Sequence, residues 1–406
     1  MITIVVLLIL AGITISLVFS DNGIIAKARE AAEKTNQAVI NEQAQMNELI
    51  DYMGNMLNEI GGESVPEEPE KPIVPESWDT EKVNPVLSED NQYVPVPKGY
   101  TASEATGENT VKDGFVIYEN TNGEDKYEPV TDESDIKTAQ ETRNQFVWVP
   151  VENPSDMYGT DSTGKKWGKL YEFSENGITA KNWTEQDGVI TITSTTDFCE
   201  PNIISEDDSN AITLTQLENE FNNMIASVEK YGGFYIGRYE TGNLSQSEAI
   251  VVKNNTDIAN KIWYTQYQKS KEIAANSNVT STIIWGCQWD ATLRWMYNSG
   301  DTNKKKYTYD STGKGNYEGE QGNLYEIIPT GSNLNYKINN IYDMAGNVGD
   351  WTMEVYNVND IPYRTVRGYY RFNATGIDNP VSVRNYEPSI NSADDCGSRS
   401  VLYINI

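Results

Sequence analysis

Residues able to do chemistry are few in this 406-residue chain, and it contains no histidine at all. Without an imidazole there is no Ser-His or Cys-His nucleophile pair and no His-ligated iron or zinc. The three cysteines, Cys199, Cys287 and Cys396, form no Cys-x-x-Cys pair. Cys287 lies in Ile283-Ile284-Trp285-Gly286-Cys287-Gln288-Trp289, apolar company that predicts a small buried hydrophobe. Cys199 and Cys396 either pair in an oxidising compartment or stay free, alternatives that the sequence leaves open. Binding is better represented than reaction. Between residues 353 and 396, Tyr356, Tyr363, Tyr369, Tyr370, Arg371, Asn385 and Tyr386 stand in a stretch poor in aliphatics. Tyrosine, asparagine and arginine give rigid contact area and adaptable hydrogen bonds, which makes Tyr369, Tyr370, Arg371, Asn385 and Tyr386 the candidate ligand contacts. The same texture also suits an irregular, solvated loop region.

Something must position these residues. The chain carries 31 Lys+Arg against 60 Asp+Glu, a net charge of −29, which makes nucleic acid a poor partner. At 38% hydrophobic and 10% aromatic it holds enough apolar material for one or two packed domains. Three regions differ in texture. Residues 1–60 open with an uncharged apolar run, Ile2 to Phe19, long enough to reach across a bilayer. From Ile24 to Ile60 the chain has no proline and repeats apolar residues at helical spacing, at Val39/Ile40, Met46, Leu49/Ile50, Met53, Met56/Leu57 and Ile60. One continuous helix over this length would be roughly 87 Å long. Residues 61–92 alternate Pro66, Pro69, Pro72, Pro75 and Pro85 with acids, which predicts an extended spacer with no core. Residues 93–406 alternate short apolar runs with turns, as in Phe146-Val147-Trp148-Val149-Pro150-Val151, and predict short strands. Two helices are expected there: Thr215 to Tyr231, with Leu217, Phe221, Met224, Ile225 and Val228 on one face, and Asp290 to Tyr297.

The N-terminal segment, Val5-Val6-Leu7-Leu8-Ile9-Leu10-Ala11-Gly12-Ile13-Thr14-Ile15 followed by Asp21-Asn22-Gly23-Ile24-Ile25-Ala26-Lys27-Ala28, resembles the prepilin-type N-termini of type IV pilins and pseudopilins in Gram-positive, clostridia-like bacteria. That family's leader ending in Gly, and its Glu at the fifth mature position, are absent here. Either Met1 is an internal start or the segment is a plain signal-anchor. The resemblance implies a partner membrane, or pilus subunits, reached through residues 2–19.

Further on, Gly233-Phe234-Tyr235-Ile236-Gly237-Arg238-Tyr239-Glu240, Asn340-Ile341-Tyr342-Asp343-Met344-Ala345-Gly346-Asn347-Val348-Gly349-Asp350-Trp351-Thr352, Arg367-Gly368-Tyr369-Tyr370 and Gly397-Ser398-Arg399 occur in fixed order. Together they resemble the formylglycine-generating-enzyme (sulfatase-modifying factor) family over roughly residues 93 to 406. The resemblance implies an α+β, C-type-lectin-like fold with much irregular loop. It places Asn347 and Asp350 at positions of the family's calcium contacts, with Asp343 as a further candidate, and hard oxygen ligands suit that ion. The family's oxidase members use a Cys pair just after Arg-Gly-Gly-Ser, where this chain reads Tyr370-Arg371-Phe372-Asn373. The expectation is therefore a non-catalytic domain, held outside a cell on a helix and stalk, that binds a glycan or protein ligand. The alternatives are a structural pilin or pseudopilin subunit with a decorative head, and a variable binding protein of a diversity-generating retroelement.

Overall fold

The computed structural model describes residues 72–406 apart from 122–132, 194–197, 204–211, 275, 319–325, 359–360, 373 and 391–393. The expected helix of residues 1–60, its membrane segment at 2–19 and spacer positions 61–71 lie outside the described residues. Among the described residues no helix is long and apolar enough to cross a membrane.

The spacer is shorter than its composition suggests, because the folded unit begins at Pro72. Val83–Leu87 (β1) pairs antiparallel with Tyr93–Pro97 (β2), with Pro85 opposite Pro95. Val83 is buried, and the Trp78 ring lies 6.4 Å from that of Tyr231. Residues 72–92 thus belong to the head. A two-stranded ribbon has only edges, so its prolines remove no interior ladder bond and the proline-rich composition conceals a strand.

The chain continues through β3 (Tyr100–Ala102), β4 (Val116–Glu119), α1 (Glu133–Thr142) and β5 (Gln145–Pro150). Three small hairpins follow: β6 (Tyr158–Thr160) with β7 (Lys166–Gly168), β8 (Tyr171–Ser174) with β9 (Gly177–Ala180), and β10 (Trp183–Gln186) with β11 (Val189–Ile192). Then come α2 (Leu214–Tyr231), β12 (Gly233–Gly237), α3 (Trp263–Lys271), β13 (Val279–Ile283), α4 (Gly286–Asn298) and α5 (Thr302–Tyr307). The last third holds β14 (Lys337–Ile338), β15 (Ile341–Tyr342), β16 (Gly349–Val358), β17 (Ile361–Arg367), β18 (Arg384–Glu387), β19 (Cys396–Ser398) and β20 (Ser400–Ile404). The architecture is mixed α+β, mostly antiparallel sheet with few helices.

A six-stranded sheet in the order β13-β20-β12-β5-β4-β3 forms the centre. Successive residues of a strand point to opposite faces. Val147, Val149, Phe234, Ile236 and Val401 join one hydrophobic cluster, and Phe146, Trp148, Tyr235 and Leu402 join another. A sheet buried on both faces reads as an unbroken apolar run, which is why these strands show no polar alternation. Helix α2 covers the first cluster with Leu217, Phe221, Met224, Ile225 and Val228. Thr213 and Gln216 cap its start reciprocally, and Gly232 ends it at φ 82°, the left-handed conformation that a glycine adopts without strain. A second sheet, in the order β18-β17-β16-β19, carries Asn385 and Tyr386 on β18, while Tyr369, Tyr370 and Arg371 lie in the loop after β17.

Candidate functional site

One face of the second sheet is locked by ion pairs. Arg367 on β17 pairs directly across from Arg384 on β18, so both guanidinium groups stand on one face. Two acids separate the like charges. Asp290 of α4 accepts from Arg367 Nη2 at 2.8 Å through Oδ1 and from Arg384 Nη2 through Oδ2. Glu354 of β16 accepts from Arg384 Nε at 2.9 Å, and its other oxygen is 3.7 Å from Arg367 Nη1. Asp290, Glu354 and Arg367 are fully buried. Burial on this scale costs several kcal/mol per ion, so the group holds only because each charge is matched and hydrogen-bonded.

A fifth ionisable group, Glu200, adjoins this lattice at the start of α4. Its carboxylate accepts from Gly286 N at 2.7 Å and from Cys287 N at 2.6 Å, two of the unsatisfied amides at the helix N-terminus. Burial, and then the neighbouring Glu354 carboxylate, pushes Glu200 up to about 7. A Cβ at position 286 would sit 2.2 Å from Glu354 Oε2 and would push that carboxylate out of the lattice.

On the same face of the sheet, aromatic rings stand in a row. Tyr386 lies two residues beyond Arg384 and therefore shares its face. Its ring is 4.3 Å from Tyr356 and 5.2 Å from Tyr363, and Tyr356 stacks on Phe198 at 4.3 Å. Tyr386 is 39% exposed, while Tyr356 and Tyr363 are half-buried. Each of the three strands β16, β17 and β18 contributes one tyrosine.

The five expected contacts do not share one surface. Asn385 pairs with Val366 and Tyr386 with Thr365, so Asn385 and Tyr386 point to opposite faces. Asn385 instead meets Tyr370, whose ring stacks on Tyr369 at 4.3 Å. Tyr369 takes a left-handed backbone, φ 59°, immediately after Gly368 at φ 75°. Arg371 turns inward: it is 5% exposed and pairs with Asp395 at 2.8 Å. Tyr369, Tyr370 and Asn385 thus form one patch, Tyr386 belongs to the aromatic row, and Arg371 is a buried ion-pair partner. The sequence reading named Tyr356 and Tyr363 only as part of a texture; the register of β16 to β18 is what aligns them with Tyr386.

The expected calcium ligands occupy a second buried charge cluster. Asn347 Oδ1 accepts from Asn316 Nδ2 at 3.1 Å and Ile328 N at 3.0 Å, and its Nδ2 donates to Glu240 Oε2 at 2.9 Å. Asp350 Oδ2 accepts from Arg399 Nε at 3.2 Å, and Asp343 Oδ2 accepts from Gly331 N at 2.7 Å. Burial pushes Asp343 and Asp350 up to about 6. Burial, with Asp343 and Asp350 as neighbours, carries Glu240 well above the usual carboxylate range. Both lone pairs of Asn347 Oδ1 are filled and a guanidinium faces Asp350, so this donor set does not fit a calcium cradle. Among the described residues no group of three His, Cys, Asp or Glu side chains is placed to hold a metal.

Cys199, Cys287 and Cys396 are all buried, and no disulfide joins any two of them. Burial pushes the Cys199 thiol up to about 11 and raises Cys287 and Cys396 well above their ordinary value. None is a ready thiolate nucleophile at neutral pH.

No protein-family model matches the chain. No curated protein matches it either. Among solved structures, the crystal structure of CarF is 14% identical, covering 43% of this chain and 87% of its own, with a TM-score of 0.34. Treponema denticola variable protein 1 is 13% identical, covering 42% of this chain and 84% of its own, with a TM-score of 0.29.

Proposed function

We propose that the protein is a ligand-binding module with no chemistry of its own, displayed at a cell surface or on a pilus-like assembly by its N-terminal segment, with a C-type-lectin-like head. The observation that carries this reading is the row of Tyr356, Tyr363 and Tyr386, one tyrosine per strand, beside a lattice of matched charges on the same face of the sheet. Rings held in place before a ligand arrives lose little entropy on binding. The stacked pair Tyr369 and Tyr370 with Asn385 adds a second contact area on the other side of β18.

The test is to screen the full chain against glycans and extracellular proteins, then to compare each hit with Tyr386→Ala and Tyr363→Ala. A hot-spot ring is worth about 2 kcal/mol, so affinity should fall roughly thirtyfold. Undiminished binding by both folded variants rejects the aromatic row. A screen without hits shifts weight to a structural subunit with a decorative head.

A further inference from the structure

A different site lies on helix α4, independent of the tyrosine row. One face of α4 gives Trp289 and Asp290 to the buried core and the ion lattice. Its last turns carry Arg294, Trp295 and Asn298 into the wall of a half-open cavity of about 290 Å³, lined across from them by residues 111–112 and 150–153 with Asp156 and Met157.

The lining has three characters. Val111, Val151, Met157 and Ala291 are buried and make an apolar floor. Trp295 is half-buried, so an indole forms one wall. Gln92, Asn153, Asn298 and Ser299 are exposed and set neutral donors and acceptors around the rim. Charge is balanced at this place in a chain of net charge −29: Lys112 and Arg294 stand against Glu152 and Asp156. Arg294 is also committed, 3.0 Å from Asp156 and with its guanidinium 4.6 Å from the centre of the Tyr171 ring.

We propose that this cavity binds one neutral pyranose ring. A charge-balanced lining gives no preference to an anion or a cation, which argues against phosphate, carboxylate or ammonium ligands. An apolar floor with an indole wall needs an apolar ligand face, while the Asn, Gln and Ser rim needs hydroxyls. A pyranose presents both: C–H bonds on its faces and hydroxyls on its periphery. The volume sits at the small end of ligand pockets, which run from about 300 to 1,000 Å³, so it fits one ring and not an oligosaccharide or a nucleotide.

The experiment titrates the full chain with methyl glycosides of glucose, galactose, mannose and N-acetylglucosamine, read by saturation-transfer NMR and tryptophan fluorescence. A ligand of about a dozen non-hydrogen atoms at ordinary efficiency gives a dissociation constant on the order of 1 mM. At least one neutral glycoside should bind in that range, and Trp295→Ala should weaken it at least about tenfold. Asn298→Ala, an exposed change that leaves the floor intact, should weaken it by a smaller factor and decides the matter where Trp295→Ala melts early. Binding unchanged in Asn298→Ala and in folded Trp295→Ala overturns the site. Binding of glucuronate or glucosamine but of no neutral glycoside overturns the ligand class, and absence of any binding overturns the proposal. The tyrosine row contributes nothing to this cavity, so Tyr386→Ala should bind the glycoside as the parent does.

Discussion

Two buried charge clusters share the strand β16, and they are built on opposite principles. At Glu354 the strand enters a lattice in which two arginines, Arg367 and Arg384, meet two acids. At Asp350 it enters one in which Arg399 meets three acids, Asp350, Asp343 and Glu240. The balanced cluster spends its charges on fixing strands β17 and β18 against α4. The acid-rich cluster leaves one oxygen of each acid, Glu240 Oε1, Asp343 Oδ1 and Asp350 Oδ1, without a hydrogen-bond partner, whereas the unbonded pair of the balanced cluster, Glu354 Oε2 and Arg367 Nη1, still face each other at 3.7 Å. Burial is the first cause of their raised values, and neighbouring carboxylates add to it at Glu240 and Asp350. One cluster is a lock, and the other is a concentration of acid around a single arginine.

The sharpest way to break this comparison is to remove an arginine from each. Arg367→Met leaves Asp290 and Glu354 sharing one guanidinium, and uncompensated buried charge costs about 3–5 kcal/mol, read by urea denaturation of the full chain. Arg399→Met should cost less at pH 5.5 than at pH 8, because its acids can protonate. Equal, pH-independent losses from the two substitutions would remove the distinction.

A second effect should appear in the unsubstituted protein. Asp343 and Asp350 are raised from about 3.8 to about 6, and Glu200 from about 4.5 to about 7. A raised acid favours the folded state while it holds its proton, so this stability is fully present below pH 4 and is lost as pH rises through 6 to 7. The head should therefore melt lower at pH 8 than at pH 5.5, by an amount on the order of 2–4 kcal/mol. Asp343→Asn should flatten that slope. A profile that is flat, or that rises with pH, contradicts the raised values of all three acids.

The smallest expected effect is on calcium. Because Asn347 Oδ1 is filled, the melting temperature should be the same in saturating calcium and in chelator. A rise in calcium that disappears in Asp350→Ala would mean that the three partnerless oxygens hold an ion, and would return the role first assigned to Asn347 and Asp350.

What was legible in the sequence depends on range. Helix α2 showed itself because Leu217, Phe221, Met224, Ile225 and Val228 repeat at 3.6-residue spacing and a glycine follows. Helix α4 was legible from Asp290, but it starts at Gly286, where Glu200 supplies the missing cap from 86 residues away. Helix α3 was missed: its buried side, Trp263, Gln266, Tyr267 and Ser270, is half polar and gives no apolar stripe. The lattice was invisible for the same reason of distance, since Arg384 finds Asp290 across 94 residues and Arg367 finds it across 77. Composition did point to the tyrosine-rich stretch. Only the strand at Arg384–Glu387, which composition does not announce, puts Asn385 and Tyr386 on opposite faces.

The position of β20 bears on how the molecule is made. It lies between β12 and β13 in the middle of the six-stranded sheet, although it is the last strand in the sequence. Among the described strands β13 pairs with β20 alone. While a ribosome is still delivering the segment before Ser400, β13 has no neighbour and one edge of β12 stands open, with the places of Val401 and Leu402 empty in both apolar clusters. Closure of the sheet thus waits for residues 400–404, and until then the nascent head presents unpaired edges of the kind that chaperones shield and that other nascent copies can capture.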